Sequence, residues 1–212
     1  MTTAISLGRD CIPSILLDRL GMREAAYPFD WLFSSLEMVE HCLVDDFRTF
    51  LDPNQHEPVG PRRSEHRFYR ERFGVNRVFN HHAMPENIPH FERAIERFKS
   101  APDPVFVHID RTRSPDRDCL GRLRSRLPGP ILVYLIAPKG DRVEAPAGVE
   151  IVRLPGPWNL DLFADQAVEI GFADRLAADI ARTLRPVPPS RGLEPADPTP
   201  AFRTASSSPN SR

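Results

Sequence analysis

Apolar residues fall into two patterns along the chain, short continuous runs and longer segments with helical spacing. The continuous runs are typical of strands buried on both faces, and they predict strands at 3–8, 104–110, 131–136 and 149–154, with another near 75–81. Apolar residues spaced three or four apart predict helices over about 11–20, 34–43, 88–99 and 163–184, and one more after Ser114. Because strands and helices alternate, the sequence predicts an α/β fold around a mostly buried sheet.

Turn and cap residues set the expected limits of these elements. Gly8 predicts a tight turn after the first strand, because glycine adopts left-handed backbone at little cost. Ser34 with Glu37 three residues later has the pattern of a capping box and predicts the start of the second helix. Ser114 followed by Pro115 predicts another helix start.

Residues 52–66 are rich in Pro, Gly, His and Arg, which predicts a long surface loop. We expect four histidines to lie on the surface and to have no part in function; they are His41, His56, His66 and His90. His108 falls within a predicted strand, where we expect a buried ring with its polar atoms satisfied.

The length of 212 residues suits one domain with a sizeable core, and 41% of the residues are hydrophobic. We interpret residues 1–185 as a single α/β domain. Residues 186–212 are rich in Pro and Ser and bury too little apolar surface to offset the entropy of ordering. They are therefore predicted to be a disordered tail.

Charge and composition exclude several classes of function. The 28 basic and 29 acidic residues leave a net charge of −1, which gives no overall attraction to nucleic acid or anionic lipid. The longest apolar run, 131–137, is too short to cross a bilayer, and the first residues lack the pattern of a secretory signal. We expect a cytoplasmic protein without a nucleic-acid or membrane partner, and the oligomeric state stays open.

The three cysteines lie at positions 11, 42 and 119, and their spacing matches neither a disulfide framework nor a zinc finger. No Gly-rich phosphate loop occurs. We therefore expect no cofactor and no metal. Cys42 and Cys119 stand among apolar residues of predicted helices and are interpreted as core thiols.

Cys11 is the residue with the clearest chemical potential. A strand and a glycine turn deliver it to a helix N-terminus, where unsatisfied backbone N–H groups and the helix dipole favour a thiolate. Asp10 would oppose this by its negative charge, or would cap the helix. The alternative is a buried cysteine that packs as a small hydrophobe.

The segment Tyr27-Pro28-Phe29-Asp30-Trp31-Leu32 joins the first two helices. Two aromatic residues around an acid indicate a packed corner, in which Asp30 accepts hydrogen bonds from nearby backbone N–H groups. The alternative is that this segment forms a wall of a substrate cleft.

Together these residues resemble a bacterial family of unknown function whose members are described as putative papain-like cysteine peptidases. The resemblance rests on Ser-Leu-Gly-x-x-Cys at 6–11, Pro-Phe-Asp-Trp at 28–31, Asp46-Phe47, Phe79-Asn80-His81 and an Arg-rich helix ending in Arg97-Phe98. The order of these motifs matches over about residues 4–110. Beyond that, only the alternation of strands and helices agrees.

The resemblance implies that Cys11 is a nucleophile at the head of a helix and that His81, in the Phe-x-His position, is its partner. His82 stands where the family usually has an acid, so the choice between the two imidazoles stays open. Asp110 is the candidate third residue that orients the imidazole, with Asp30 as the alternative. Trp31 and His82 are further candidates for the cleft.

The function that follows is a papain-like cysteine peptidase or a related thiol-dependent hydrolase or acyl transferase. Its substrate would be a peptide or another acyl compound. The alternative is a non-catalytic α/β binding domain with a structural Cys11. A doubly wound enzyme acting on sugars or nucleotides is a third hypothesis, weakened by the missing phosphate loop.

Overall fold

A computed structural model describes residues 3–110, 115–136, 143–154 and 172–183. The predicted tail at 186–212 and the first part of the predicted helix at 163–184 lie outside the described residues. Among the described residues, no helix is long and apolar enough to span a membrane.

The described residues form an α/β structure with a parallel sheet and a separate hairpin. The strands are β1 (Ala4–Ser6), β2 (His56–Gly60), β3 (Arg63–His66), β4 (Val105–Asp110), β5 (Ile131–Ile136) and β6 (Val149–Leu154). The helices are α1 (Ile12–Arg19), α2 (Leu36–Val44), α3 (Arg48–Leu51), α4 (Arg67–Phe73), α5 (Ile88–Ser100), α6 (Arg117–Arg126) and α7 (Phe172–Thr183), with a 3₁₀ turn at Pro53–Gln55.

The main sheet is parallel throughout, with the strand order β1-β4-β5-β6. Ile5 lies opposite Phe106 in the pairing of β1 with β4, and the Leu7 amide extends this pairing by donating to the Val107 carbonyl at 2.8 Å. Every residue of β1 and β4 is buried, as expected for parallel strands covered on both faces. The predicted α/β class is confirmed.

Each face of the sheet has its own core. On one face α1 and α7 pack on alternate strand residues; this cluster includes Leu16, Val107, Tyr134, Leu176 and Ile180. On the other face α2, α5, α6 and the segments between them pack around a group of aromatic rings. Phe29, Phe47, Phe50 and Phe98 meet there with ring centroids 5.7–6.5 Å apart. The loop after β1 therefore joins the two cores, since Leu7 belongs to one and Ile12 to the other.

The prediction of a surface loop at 52–66 is wrong, because this segment contains the antiparallel hairpin of β2 and β3. His56 and His66 face each other across the hairpin and are 8% and 0% exposed, so the prediction that they lie on the surface is also wrong. The physical reason is that both rings pack on aromatic residues of the core. The ring centroids of His56 and Phe79 are 5.3 Å apart, and those of His66 and Tyr69 are 4.1 Å apart.

The predicted strand near 75–81 is reduced to one antiparallel bridge, between Phe79 and Ser64 of β3. The two residues exchange both backbone hydrogen bonds, at 3.0 and 3.1 Å. The chain turns directly after this bridge, so the pairing does not continue. One apolar pair, Val78 and Phe79, is buried here without forming a longer strand.

Two helix starts differ from the predicted ones by one or two residues. Ser35, not Ser34, caps α2 by accepting a hydrogen bond from the Met38 amide at 3.2 Å. Asp116 caps α6 through the amides of Asp118 and Cys119. Ser34 is instead hydrogen-bonded to the loop after β1. Ser114 lies outside the described residues, and the carboxylate of Asp116 accepts from the first amides of α6.

Burial of His66 couples the fold to pH. Its Nε2 atom lies 3.0 Å from the Thr49 carbonyl, to which it donates, and its Nδ1 atom accepts from the Tyr69 amide at 3.4 Å. A neutral ring satisfies both contacts, whereas a protonated ring cannot accept. Burial lowers the pKa of His66 from 6.5 to about 4, despite the opposing contact with Thr49.

The unfolded chain therefore binds a proton at His66 before the folded chain does, as the pH falls from about 6.5 to about 4. The free energy of unfolding should decrease in this window, by about 2 kcal/mol at pH 5 for His66 alone. Urea unfolding at pH 7 and pH 5 measures the loss. His66→Asn keeps an acceptor for the start of α4 but does not titrate in this range, so its free energy of unfolding should decrease less between pH 7 and pH 5. An equal decrease in the variant would contradict the assignment of this pH dependence to His66.

Candidate functional site

The loop after β1 turns sharply to bring Cys11 to the start of α1. Gly8 and Arg9 both have left-handed backbone, with φ of 79° and 89°. A Cβ atom at position 8 would collide with Ser34 Oγ, so both the conformation and the close approach require glycine. The predicted turn at Gly8 is confirmed.

The Ser34 hydroxyl holds this loop in place. It accepts from the Arg9 amide at 2.9 Å and donates to the Leu7 carbonyl at 3.1 Å. The Ser34 amide also donates to the Arg9 carbonyl at 3.3 Å. Ser34 is 2% exposed, so these hydrogen bonds are protected from water. One buried serine therefore links the segment before α2 to the loop that carries Cys11.

Cys11 lies directly before the first residue of α1 and is partly exposed. Asp10 Oδ1 accepts from the Ile12 amide at 2.9 Å, so the carboxylate satisfies the first amide of α1 from the residue before the N-cap, Cys11. The other two thiols are buried. Burial raises the pKa of Cys119 to about 12 and raises the pKa of Cys42 still further above its usual range. Their interpretation as core residues is confirmed, and Cys11 is the accessible thiol of the three.

His81 comes from the turn after Phe79 and meets Cys11 across 70 positions of the chain. The Cys11 Sγ atom lies 3.2 Å from His81 Nε2, which is within hydrogen-bonding distance for sulfur. The Asn80 Nδ2 atom lies 3.3 Å from the same ring nitrogen. The Trp31 ring packs edge-on against the imidazole, with centroids 6.3 Å apart. The thiol, the imidazole and the indole therefore form one exposed cluster.

His82 faces another part of the protein. Its ring lies 5.6 Å from the His90 ring and 5.0 Å from the Phe91 ring, at the start of α5. Burial, with the neighbouring His90 and His81, lowers the pKa of His82 to about 4. Of the two candidate imidazoles, the structure brings His81 to the thiol and not His82.

Asp30 serves the packed corner rather than the imidazole. Its carboxylate accepts from the Tyr27 amide at 2.9 Å, from Ser14 Oγ at 2.9 Å and from Arg23 Nε at 3.0 Å. Burial raises the pKa of Asp30, and these three donors oppose the rise. The carboxylate thus ties the segment before Trp31 to α1, as the first interpretation of this segment predicted.

Asp110 ends β4 and lies beside the loop of Cys11, but among the described residues its contacts are with Arg9 and His108. Arg9 Nε lies 4.0 Å from one carboxylate oxygen, and His108 Nε2 lies 3.9 Å from the other. His81 is not among its partners. His108 is buried as predicted, but its Nδ1 atom has no hydrogen-bond partner within the described part of the chain, so its ring is not fully satisfied.

Two residues of this site were missed by the sequence analysis. Ser34 was interpreted as a helix cap, since serine before Glu37 fits that pattern equally well. Asn80 stood inside the Phe-x-His motif as its variable residue. No sequence signal would have assigned either role, because both depend on contacts between distant segments.

The fold and site define an α/β protein with a cysteine–histidine contact at the carboxyl end of a parallel strand. Residues 2–101 match the model of a family described as "Putative papain-like cysteine peptidase". This match confirms the resemblance seen in the sequence, and it includes Cys11, Trp31 and His81 but ends before Asp110. Comparisons with curated proteins and with solved structures give no match.

The chemistry available here is that of a thiol and a base. Within the described ranges, no group of three or more His, Cys, Asp or Glu side chains could hold a metal ion. A sulfur next to an imidazole nitrogen can transfer its proton and act as a nucleophile.

Ser34→Ala tests whether the loop depends on the buried hydroxyl. The variant should lose about 1–2 kcal/mol of stability, because the Arg9 amide and the Leu7 carbonyl lose a partner. It should also lower the rate at which iodoacetamide alkylates Cys11, measured by mass spectrometry. Ser35→Ala is the matched control: it removes a helix cap at comparable cost, and should leave that rate unchanged. Equal alkylation rates in both variants would contradict the role of Ser34.

Proposed function

We propose that this protein is a cysteine peptidase or a related thiol-dependent acyl hydrolase, with Cys11 as nucleophile and His81 as general base and acid. The observation that carries the proposal is the 3.2 Å distance between Cys11 Sγ and His81 Nε2. The match of residues 2–101 to the peptidase family supports the same chemistry. The substrate is a peptide or another acyl compound, and the reaction uses no cofactor.

The position of Cys11 favours the reactive form of the thiol. The sulfur stands at the positive end of α1, which stabilises a thiolate. His81 Nε2 accepts the thiol proton when the ring carries its own proton on Nδ1. The Asn80 side-chain amide lies 3.3 Å from the same nitrogen and limits rotation of the ring. The resting site is thus arranged to give an imidazolium–thiolate pair.

In the first half of the reaction, the thiolate attacks the acyl carbon and a C–S bond forms. The tetrahedral intermediate collapses, the bond to the leaving group breaks, and the His81 imidazolium gives its proton to that group. In the second half, His81 takes a proton from water as the water attacks the thioester. A C–O bond forms, the C–S bond breaks, the acid product leaves, and the imidazolium–thiolate pair is restored.

An oxyanion donor is expected beside the sulfur, at the start of α1. The Ile12 amide is already bound by Asp10 Oδ1, and Pro13 has no N–H. We assign this role to the Cys11 amide, which belongs to the same residue as the sulfur.

The imidazole is positioned in this proposal by Asn80 and by the Trp31 ring. Asp110 was the candidate for this role, but its contacts with Arg9 and His108 suit a residue that holds the Cys11 loop against β4. Trp31 has left-handed backbone, with φ of 59°, and stands two residues after the buried Phe29. Since a bulky residue adopts this conformation at a cost, its place against His81 supports a functional role.

The test compares wild type with Cys11→Ala, His81→Gln and His82→Gln, using an activity-based thiol probe and iodoacetamide across pH. Wild type should react well below the pH at which a free thiol of pKa about 8.5 reacts. His81→Gln should react at least tenfold more slowly at pH 6–7, because the thiolate loses its partner. Cys11→Ala should not label.

His82→Gln is the matched control, since it changes the neighbouring imidazole, which faces α5 and not the thiol. Its thermal melting is measured alongside, because the ring is packed. Labelling of His81→Gln at the wild-type rate would rule out a catalytic pair. A Cys11 thiol as slow as a free thiol would leave only the non-catalytic binding domain.

A further inference from the structure

Two cavities are lined by residues that neighbour Cys11 or His81 in the chain. The larger has a volume of about 540 Å³ and is lined by Asp10, which precedes Cys11, and by Arg9. The smaller has a volume of about 250 Å³ and is lined by Asn80, the residue that contacts His81. A residue next to Cys11 in the chain therefore lines one cavity, and a residue in contact with His81 lines the other.

Arg77 lines both cavities. Its backbone is left-handed, with φ of 57°, which is costly for a side chain of this type. Glu65 Oε2 holds it there by accepting from the Arg77 amide at 2.7 Å. The carboxylate of Glu65 thus engages the backbone of Arg77, and the guanidinium is exposed at the common wall of the cavities.

The charges around the cavities are mainly positive. Arg9, Arg63 and Arg77 contribute to their walls, against two carboxylates. Both carboxylates accept from backbone amides, Asp10 from Ile12 and Glu65 from Arg77. Neither Arg63 nor Arg77 forms an ion pair within 4.0 Å among the described residues, whereas Arg9 faces Asp110. A guanidinium can bind a carboxylate through two parallel hydrogen bonds.

The larger cavity also has an apolar wall. Phe33, Phe73 and Val75 line it opposite the polar residues. Such a wall suits a short aliphatic chain, and Arg77 then meets a charged group at the end of that chain. A glutamate side chain, or the free end of a dicarboxylic acyl group, has this combination of an apolar stem and a terminal carboxylate.

We infer that the site selects acyl or peptide substrates that carry a carboxylate near the scissile carbonyl, and that Arg77 binds this carboxylate. The inference rests on the proposed function, since it assigns the substrate class of the same site. Arg77 acts in binding, whereas Cys11 and His81 act in the chemistry.

The test uses two alkylating probes that differ in one charge, N-chloroacetyl-glutamate α-amide and N-chloroacetyl-glutamine α-amide. In each case the Cys11 thiolate displaces chloride and forms a thioether, so the readout needs no turnover. The second-order rate of Cys11 labelling is measured by mass spectrometry for both probes. In wild type the glutamate probe should be faster by about five- to twentyfold, the scale of one charge-assisted contact.

Arg77→Gln should bring the ratio of the two rates close to one, mainly by slowing the glutamate probe. Arg62→Gln is the matched control, because Arg62 is exposed in the neighbouring hairpin turn and lines neither cavity. It should keep the wild-type ratio. The ratio in wild type should also fall as salt is raised, as for an exposed charge contact.

Three outcomes separate the inference from the proposed function. Equal rates of the two probes in wild type, with Cys11 still faster than N-acetylcysteine, would overturn the carboxylate preference alone. A preference that survives Arg77→Gln would overturn the assignment to Arg77. If Cys11 labels no faster than N-acetylcysteine with either probe, the proposed function fails, and the inference fails with it.

Discussion

The contact between Cys11 and His81 depends on the tight turn at Gly8 and Arg9. Gly8 and Arg9 hold a backbone conformation that most residues avoid, and the buried Ser34 hydroxyl bridges the amide on one side of the turn to the carbonyl on the other. Removal of these hydrogen bonds would leave buried polar groups without partners, so the turn is held firmly. It is this turn that directs Cys11 away from the core and towards His81.

The elements that pack on the sheet were predictable because their apolar residues have a clear period. The strands at 105–110, 131–136 and 149–154 and the helix at 88–100 follow their patterns closely. The hairpin at 56–66 was not predictable in the same way, because its residues are mostly polar and its buried rings are histidines. His66 can be buried only because Thr49 and Tyr69, from two other segments, satisfy both ring nitrogens.

The residues of the site also differ in whether local sequence could predict them. The position of Cys11 at a helix start follows from local sequence, since a short strand, a glycine and an apolar helix succeed one another. The choice of His81 over His82 does not, because it depends on a turn that ends the pairing of Phe79 and on the packing of His82 against α5. For the same reason Asp110, at a strand end, was a reasonable candidate whose actual neighbours are Arg9 and His108.

The order of the strands has a consequence for the region that matches the family model. The matched residues 2–101 contain β1 but none of the other strands of the parallel sheet, since β4 begins at Val105. The strand that pairs with β1 is β4, which lies outside the matched residues. The carbonyl that accepts from the Leu7 amide belongs to Val107 of the same strand. A fragment cut at residue 101 would thus keep the thiol and both imidazoles but lose the surface on which they are assembled. The segment that matches the family model and the parallel sheet therefore have different boundaries.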